Sequence, residues 1–142
     1  MAEAKSERNL RIERPLSPHL QVYRPLINMT MSIIHRMTGA ALYFGTILLA
    51  WWLTAAATGP AYFNYVSDIF GSLLGRVVLI GYTWALLHHM IGGLRHLLWD
   101  TGRGYDLKMI DRLSWGSIIL SVLLTGAIWF TQMPGGLGAL VR

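Results

Sequence analysis

The stretch from Ala85 to Asp100, ALLHHMIGGLRHLLWD, sets three histidines, an arginine and an aspartate into an otherwise apolar run. A neutral imidazole in such surroundings has few uses. It ligates a metal or a haem iron, or it hydrogen-bonds a neighbouring helix. On a helix, residues four and seven apart share a face, so His89 lines up with Gly81, Ala85, Gly93 and His96, with Asp100 one turn beyond. His88 lies about a third of the way round, toward Gly92, Arg95 and Trp99. Small residues above and below His89 leave room for a flat macrocycle beside a ligating nitrogen, and equally for a second helix packed close. The spacing admits both.

A second polar cluster is SIIHRMTG, Ser32 to Gly39. Ser32 is one turn from Arg36 and shares its face, with His35 adjacent. A cation and a hydroxyl so placed can hold a carboxylate, a haem propionate or a quinone carbonyl. The plainer alternative has Arg36 reaching the lipid headgroups and Ser32 bonded to a backbone carbonyl.

The elements that carry these clusters follow from composition. Of 142 residues, 54% are hydrophobic and 13% charged, with mean hydropathy +0.44. A soluble domain carries about a quarter charged residues. Uncharged stretches run from Met37 to Ser67, Val77 to Leu94 and Leu113 to Val141, each near the length needed to cross a hydrocarbon core of about 30 Å. Gly59-Pro60 and Pro134-Gly135-Gly136 cut the first and last, which predicts spans over about 30–57, 72–99 and 114–133. The expected fold is an all-α membrane protein of three transmembrane helices: a membrane domain over 29–142, preceded by a cytoplasmic segment, 1–28.

Charge placement gives the orientation. Lys5, Arg8, Arg11, Arg14 and Arg24 precede the first span, and Arg95, Arg103, Lys108 and Arg112 sit at or after the end of the second. The other side has only Arg76 and Arg142. The positive-inside rule therefore puts the N-terminus and second loop in the cytoplasm, and the first loop and C-terminus outside. A basic nucleic-acid-binding face would not alternate loop by loop, so the net charge of +5 does not point to nucleic acid. Trp51, Trp52, Tyr62, Phe63 and Tyr65 form the expected interfacial aromatic belt at the outer end of span one. RPLSPHLQVYRPL, with its prolines, reads as a non-helical approach to the membrane.

Cysteine is absent, which excludes a thiolate-held iron–sulfur cluster, a covalently attached haem and a disulfide. The first residues mix Glu with Lys and Arg and have no apolar core, unlike a secretory or transit peptide. The expected location is thus a bacterial inner membrane rather than a mitochondrial one. Because span two descends toward the cytoplasm, Ser32, His35, Arg36, Arg95 and His96 are expected at one membrane face. His89 lies about 15 Å above the inner end of span two, with His35 shallower. Span three has no histidine. A haem with two histidine ligands would therefore take its second from another chain. Three spans enclose little, and the polar groups point to packing against a partner.

These residues resemble the cytochrome b subunit of succinate dehydrogenase, the larger of its two membrane anchors. The family pattern Ser-x-x-His-Arg-x-(Ser/Thr)-Gly corresponds to Ser32, His35, Arg36, Thr38 and Gly39. The pattern His-x-x-x-Gly-x-Arg-His-x-x-x-Asp corresponds to His89, Gly93, Arg95, His96 and Asp100. The resemblance implies that this chain and a second small anchor share one b-type haem and form a ubiquinone-reduction site. A flavoprotein that oxidises succinate and an iron–sulfur subunit dock on them. By the same resemblance His89 is the axial haem ligand, Ser32 and Arg36 line the quinone pocket, and His35 and Arg36 lie near the propionates. His96 and Asp100 would have supporting roles, as an i, i+4 pair. His88 has no counterpart in the pattern.

The chain would then act in an oxidoreductase without dicarboxylate chemistry of its own, since it has no nucleotide-binding glycine fingerprint. The rival readings are a haem-free anchor, a quinol:fumarate reductase anchor, and a stand-alone membrane cytochrome b. A proton relay would predict acidic residues in mid-span, and there are none.

Overall fold

A computed structural model describes residues 23–132, which form four helices and no strand. In chain order they are α1 (Ile27–Thr58), α2 (Pro60–Gly71), α3 (Leu73–Asp100) and α4 (Leu107–Gln132). The cytoplasmic reading of segment 1–28 falls mostly on residues outside this range, as do the Pro134-Gly135-Gly136 break and the C-terminus.

α1, α3 and α4 are long and apolar enough to cross a membrane. At 32 residues, α1 is about 48 Å long, well beyond the hydrocarbon thickness. It begins just past Pro25, where Leu26 is still extended and its carbonyl accepts from the Met29 and Thr30 amides at 3.1 and 3.2 Å. It stops at Gly59, whose φ of 139° suits glycine and breaks the helical path. Pro60 then starts α2, a position where its missing N–H costs nothing.

Two features differ from the sequence expectation. The connection between the first two spans is not an open loop but the helix α2. Its aromatic residues pack on the end of α1: the Trp51 indole N–H donates to the Tyr62 hydroxyl at 2.9 Å, and Trp52 lies 5.5 Å from Phe63 between ring centroids. The aromatic cluster is thus also the contact between two helices. The last helix starts at Leu107, not near 114. Lys108, Asp111 and Arg112 end an apolar run, but charges at a membrane surface do not end a helix. The Ile110 amide already bonds the Asp106 carbonyl at 2.9 Å.

Ser72 separates α2 from α3 and caps α3, its hydroxyl accepting from the Gly75 amide at 3.1 Å. Gly102 and Gly104, both at positive φ, shape the short α3–α4 connection. There the Trp99 indole N–H donates to the Gly104 carbonyl at 3.1 Å.

The interior is small and polar while the outside is greasy. Buried side chains include Thr38, His88, Arg95, Ser114, Ser117, Ser121 and Thr125, whereas Phe44, Ile47, Leu94 and Leu123 are exposed. Lipid tails are as apolar as leucine, so spans associate through close packing and polar contacts instead of apolar burial. The α1–α3 seam puts rings on glycines: His35 on Gly92, His89 on Gly39 and Tyr82 on Gly45. As α1 runs from 35 to 45 its partner on α3 falls from 92 to 82, an antiparallel register. The α3–α4 seam uses hydroxyls, with His88 against Ser121, Arg95 against Ser114 and Trp129 against Thr83. α3 is the shared wall of both seams.

Candidate functional site

His89 is aimed across the α1–α3 seam. Its Nδ1 lies 3.1 Å from the His35 carbonyl oxygen and 3.4 Å from the Thr38 hydroxyl. A carbonyl can only accept, so Nδ1 carries the proton and the neutral ring keeps its lone pair on Nε2. Thr38 donates to the same His35 carbonyl at 2.9 Å, which makes that oxygen a two-donor anchor. Gly39 allows the approach, since a Cβ there would stand 2.9 Å from Cε1 of His89.

The His35 ring stacks on the His89 ring at 4.0 Å between centroids, with 2° between planes. This corrects the depth expected from the sequence: His35 is level with His89, not shallower. Boundaries guessed from charge could not set the stagger of two antiparallel helices. His35 Nδ1 is buried without a hydrogen-bond partner, over Gly92. His96 joins the pair at 5.3 Å from His35 and is itself edge-on to Trp99 at 5.2 Å. The expected i, i+4 ion pair of His96 with Asp100 is not formed; an exposed pair at a helix end gains too little to fix two side chains. No group of three or more His, Cys, Asp or Glu among the described residues could hold a metal ion as a protein-only cage.

Ser32 and Arg36 are exposed at the start of α1, on one face as their spacing predicts. The Arg36 Nε–H donates to the Ser32 carbonyl at 3.3 Å, holding the guanidinium along the helix. Thr46, Thr54 and Thr58 spend their hydroxyls on carbonyls one turn back. Ser32 has no such bond among the described residues, so its hydroxyl is available to a ligand. Arg95 does not join this cluster. It turns to α4, where Nη1 donates to the Ser114 hydroxyl at 3.2 Å. Of the polar residues expected at one face, His35 and His96 are brought together, and His89, expected deeper, joins them. Ser32 and Arg36 lie on the exposed side of α1, and Arg95 belongs to the other seam.

His88, one position from His89, is fully buried in that other seam. Its Nδ1 lies 3.3 Å from the Ser121 hydroxyl and its ring stacks on Trp84 at 5.2 Å. The hydroxyl row Ser114, Ser117, Ser121 and Thr125 that faces α3 was readable as a helical stripe, but hydroxyls in an apolar run draw less notice than charges.

The groups around His89 suit a haem. A lone pair on Nε2 of His89, a tautomer fixed from behind by a carbonyl, and a half-buried ring are what an axial ligand requires. Next on the same helix, Gly93 has open space where a Cβ would stand. The residues fit the group. With its ring stacked on that of His89, His35 would not serve as a second ligand to the same group.

Fold and site together define a multi-pass, all-α membrane protein with a histidine cluster between its first two spans. Residues 11–128 match the family model described as succinate dehydrogenase/fumarate reductase transmembrane subunit, and the chain belongs to that family, as a cytochrome b anchor subunit of complex II. It is 38% identical over 125 residues to the succinate dehydrogenase cytochrome b556 subunit of Rickettsia bellii, covering 88% of this chain and 98% of the relative. The cytochrome b556 subunit of Paracoccus denitrificans is 45% identical over 114 residues, covering 78% and 88%. The mitochondrial cytochrome b560 subunit of Sus scrofa is 36% identical over 121 residues, covering 82% and 70%.

Proposed function

We propose that this chain shares one b-type haem with a second small anchor subunit and forms part of the site where ubiquinone is reduced. The electrons come from succinate through a flavoprotein and an iron–sulfur subunit docked on the membrane pair. His89 is the axial ligand contributed by this chain, through Nε2. The observation that carries this reading is the His89 Nδ1 held at 3.1 Å from the His35 carbonyl, which fixes both tautomer and ring direction. When bound, the haem supplies a one-electron carrier in an apolar surround.

The remaining roles follow from position. Arg36 and the imidazoles of His35 and His96 neutralise and hydrogen-bond the propionates. The free Ser32 hydroxyl donates to a quinone carbonyl, and Arg36 stabilises negative charge that develops there as electrons arrive. Both are exposed near the start of α1, where water can supply protons. The chain holds no group for dicarboxylate oxidation, so the direction of the overall reaction is set by its soluble partners and the quinone. The membrane is the bacterial inner membrane, a reading supported by the relatives from Rickettsia and Paracoccus.

A dithionite-reduced minus oxidised spectrum of the purified complex tests the assignment, with His89→Ala beside wild type. The expected result is a b-type α-band in wild type that is lost in the variant. Absence of the band in wild type, with succinate-to-quinone activity intact, leaves a haem-free anchor and returns His89 to packing.

A further inference from the structure

Where α3 finishes and α4 begins, a cavity of about 380 Å³ opens between the two helices, lined by Arg95, Arg112, Leu94, Leu98, Leu120 and Gly116 among others. Arg95 is 6% exposed, and its guanidinium carbon lies 5.0 Å from the centre of the Trp99 ring. One of its nitrogens donates to Ser114, and its Nε is buried with no partner. Among the described residues no carboxylate pairs with it.

A guanidinium stays charged, and a buried charge without a counter-ion is costly. Intramembrane arginines pair with something. Arg112 brings a second positive charge to the same cavity, so the missing component is an anion. The rest of the lining says what carries it. Leu94, Leu98 and Leu120 are exposed on the lipid-facing side of the slot, which suits a hydrocarbon chain. Gly116 keeps the slot open, with no atom within 4 Å of where its Cβ would stand.

We propose that this slot holds one anionic phospholipid, its phosphate between Arg95 and Arg112 and an acyl chain along the leucines. The inference needs the chain to be embedded in a membrane and nothing from the haem or quinone assignments.

The test compares the detergent-purified complex bearing wild-type chain, Arg112→Gln or Gly116→Leu, with bound lipid counted by native mass spectrometry. Added phosphatidylglycerol, phosphatidylcholine and inorganic phosphate are the probes. Wild type is expected to retain one anionic lipid that phosphatidylglycerol exchanges and the other two do not. Loss of one arginine should weaken retention on the order of fivefold. Gly116→Leu, which fills the slot while keeping both arginines, should abolish retention while the complex stays assembled. Arg112 is exposed, so its replacement should leave folding intact, and the comparison stands even if Gly116→Leu fails to assemble. Equal retention in wild type and Arg112→Gln overturns the proposal. Displacement by inorganic phosphate alone, or a photo-crosslink from position 112 to a partner subunit in wild type, overturns it too.

Discussion

His88 and His89 are identical in type and adjacent in sequence, yet about 100° of helix rotation sends them to different seams. His88 is buried inside the protein, its ring stacked on Trp84 and its Nδ1 against Ser121. Replacing it with leucine of similar bulk removes one interhelical hydrogen bond, which in a membrane is worth about 0.6 kcal/mol on average. His88→Leu should therefore keep the reduced α-band, with thermal stability of the complex nearly unchanged. Loss of the band in that variant would move the ligand assignment one residue. His89 responds to a different perturbation. A methyl group at position 39 would stand 2.9 Å from Cε1 of His89 and push the ring off the His35 carbonyl. Disturbing such a supporting contact typically costs 10–100-fold in affinity for the metal group. Gly39→Ala should accordingly lower haem occupancy per complex by about tenfold or more, measured as pyridine haemochrome per flavin. Full occupancy in Gly39→Ala would mean that the carbonyl contact does not hold the ligand.

The two seams of α3 are built differently, and each predicts its own sensitivity. On the α1 side Gly92 lies directly under the His35 ring, so an added Cβ requires the ring or the helix to shift. Overpacking of this kind costs about 1–3 kcal/mol. Gly92→Ala should lower the unfolding temperature of the complex, whereas Gly116→Ala, in open space, should not. Equal effects would mean that the α1–α3 seam is not tight. Much of this element-level picture was legible beforehand. Long uncharged runs gave the three spans, and Gly59-Pro60 marked the end of the first. The α2 helix was hidden because its tyrosines and phenylalanine read equally well as an interfacial belt. The start of α4 was hidden because Lys108, Asp111 and Arg112 end hydrophobicity without ending helicity. At the site, the spacing of Ser32 with Arg36 and of His89 with His96 was readable within each helix. The stacking of His35 on His89 was not, because it depends on the stagger between helices, and that is set by which ring finds which glycine.

At the scale of the whole molecule, the small polar interior and large apolar exterior make the chain a component of a membrane and not a free-standing fold. An odd number of spans puts the two ends of the spanning region on opposite sides. The choice between the two orientations rests on basic residues in short connections. Arg103, Lys108 and Arg112 flank the α3–α4 connection, while between the end of α1 and the first turn of α3 there is only Arg76. α2 packs on the end of α1 through the Trp51–Tyr62 contact, which leaves little free chain between the first two spans. An alkaline phosphatase reporter, active only outside the cytoplasm, reads this directly. Inserted at Gly59 or fused after Arg142 it should be active, and inserted at Gly102 it should be silent. The reverse pattern would put Ser32, Arg36 and the lower histidines on the outer surface. Succinate-oxidising subunits on the cytoplasmic side could not then reach the quinone pocket proposed at the start of α1. If these charges set the orientation, neutralising Arg103, Lys108 and Arg112 together should raise the signal at Gly102, and an unchanged signal would mean that they do not.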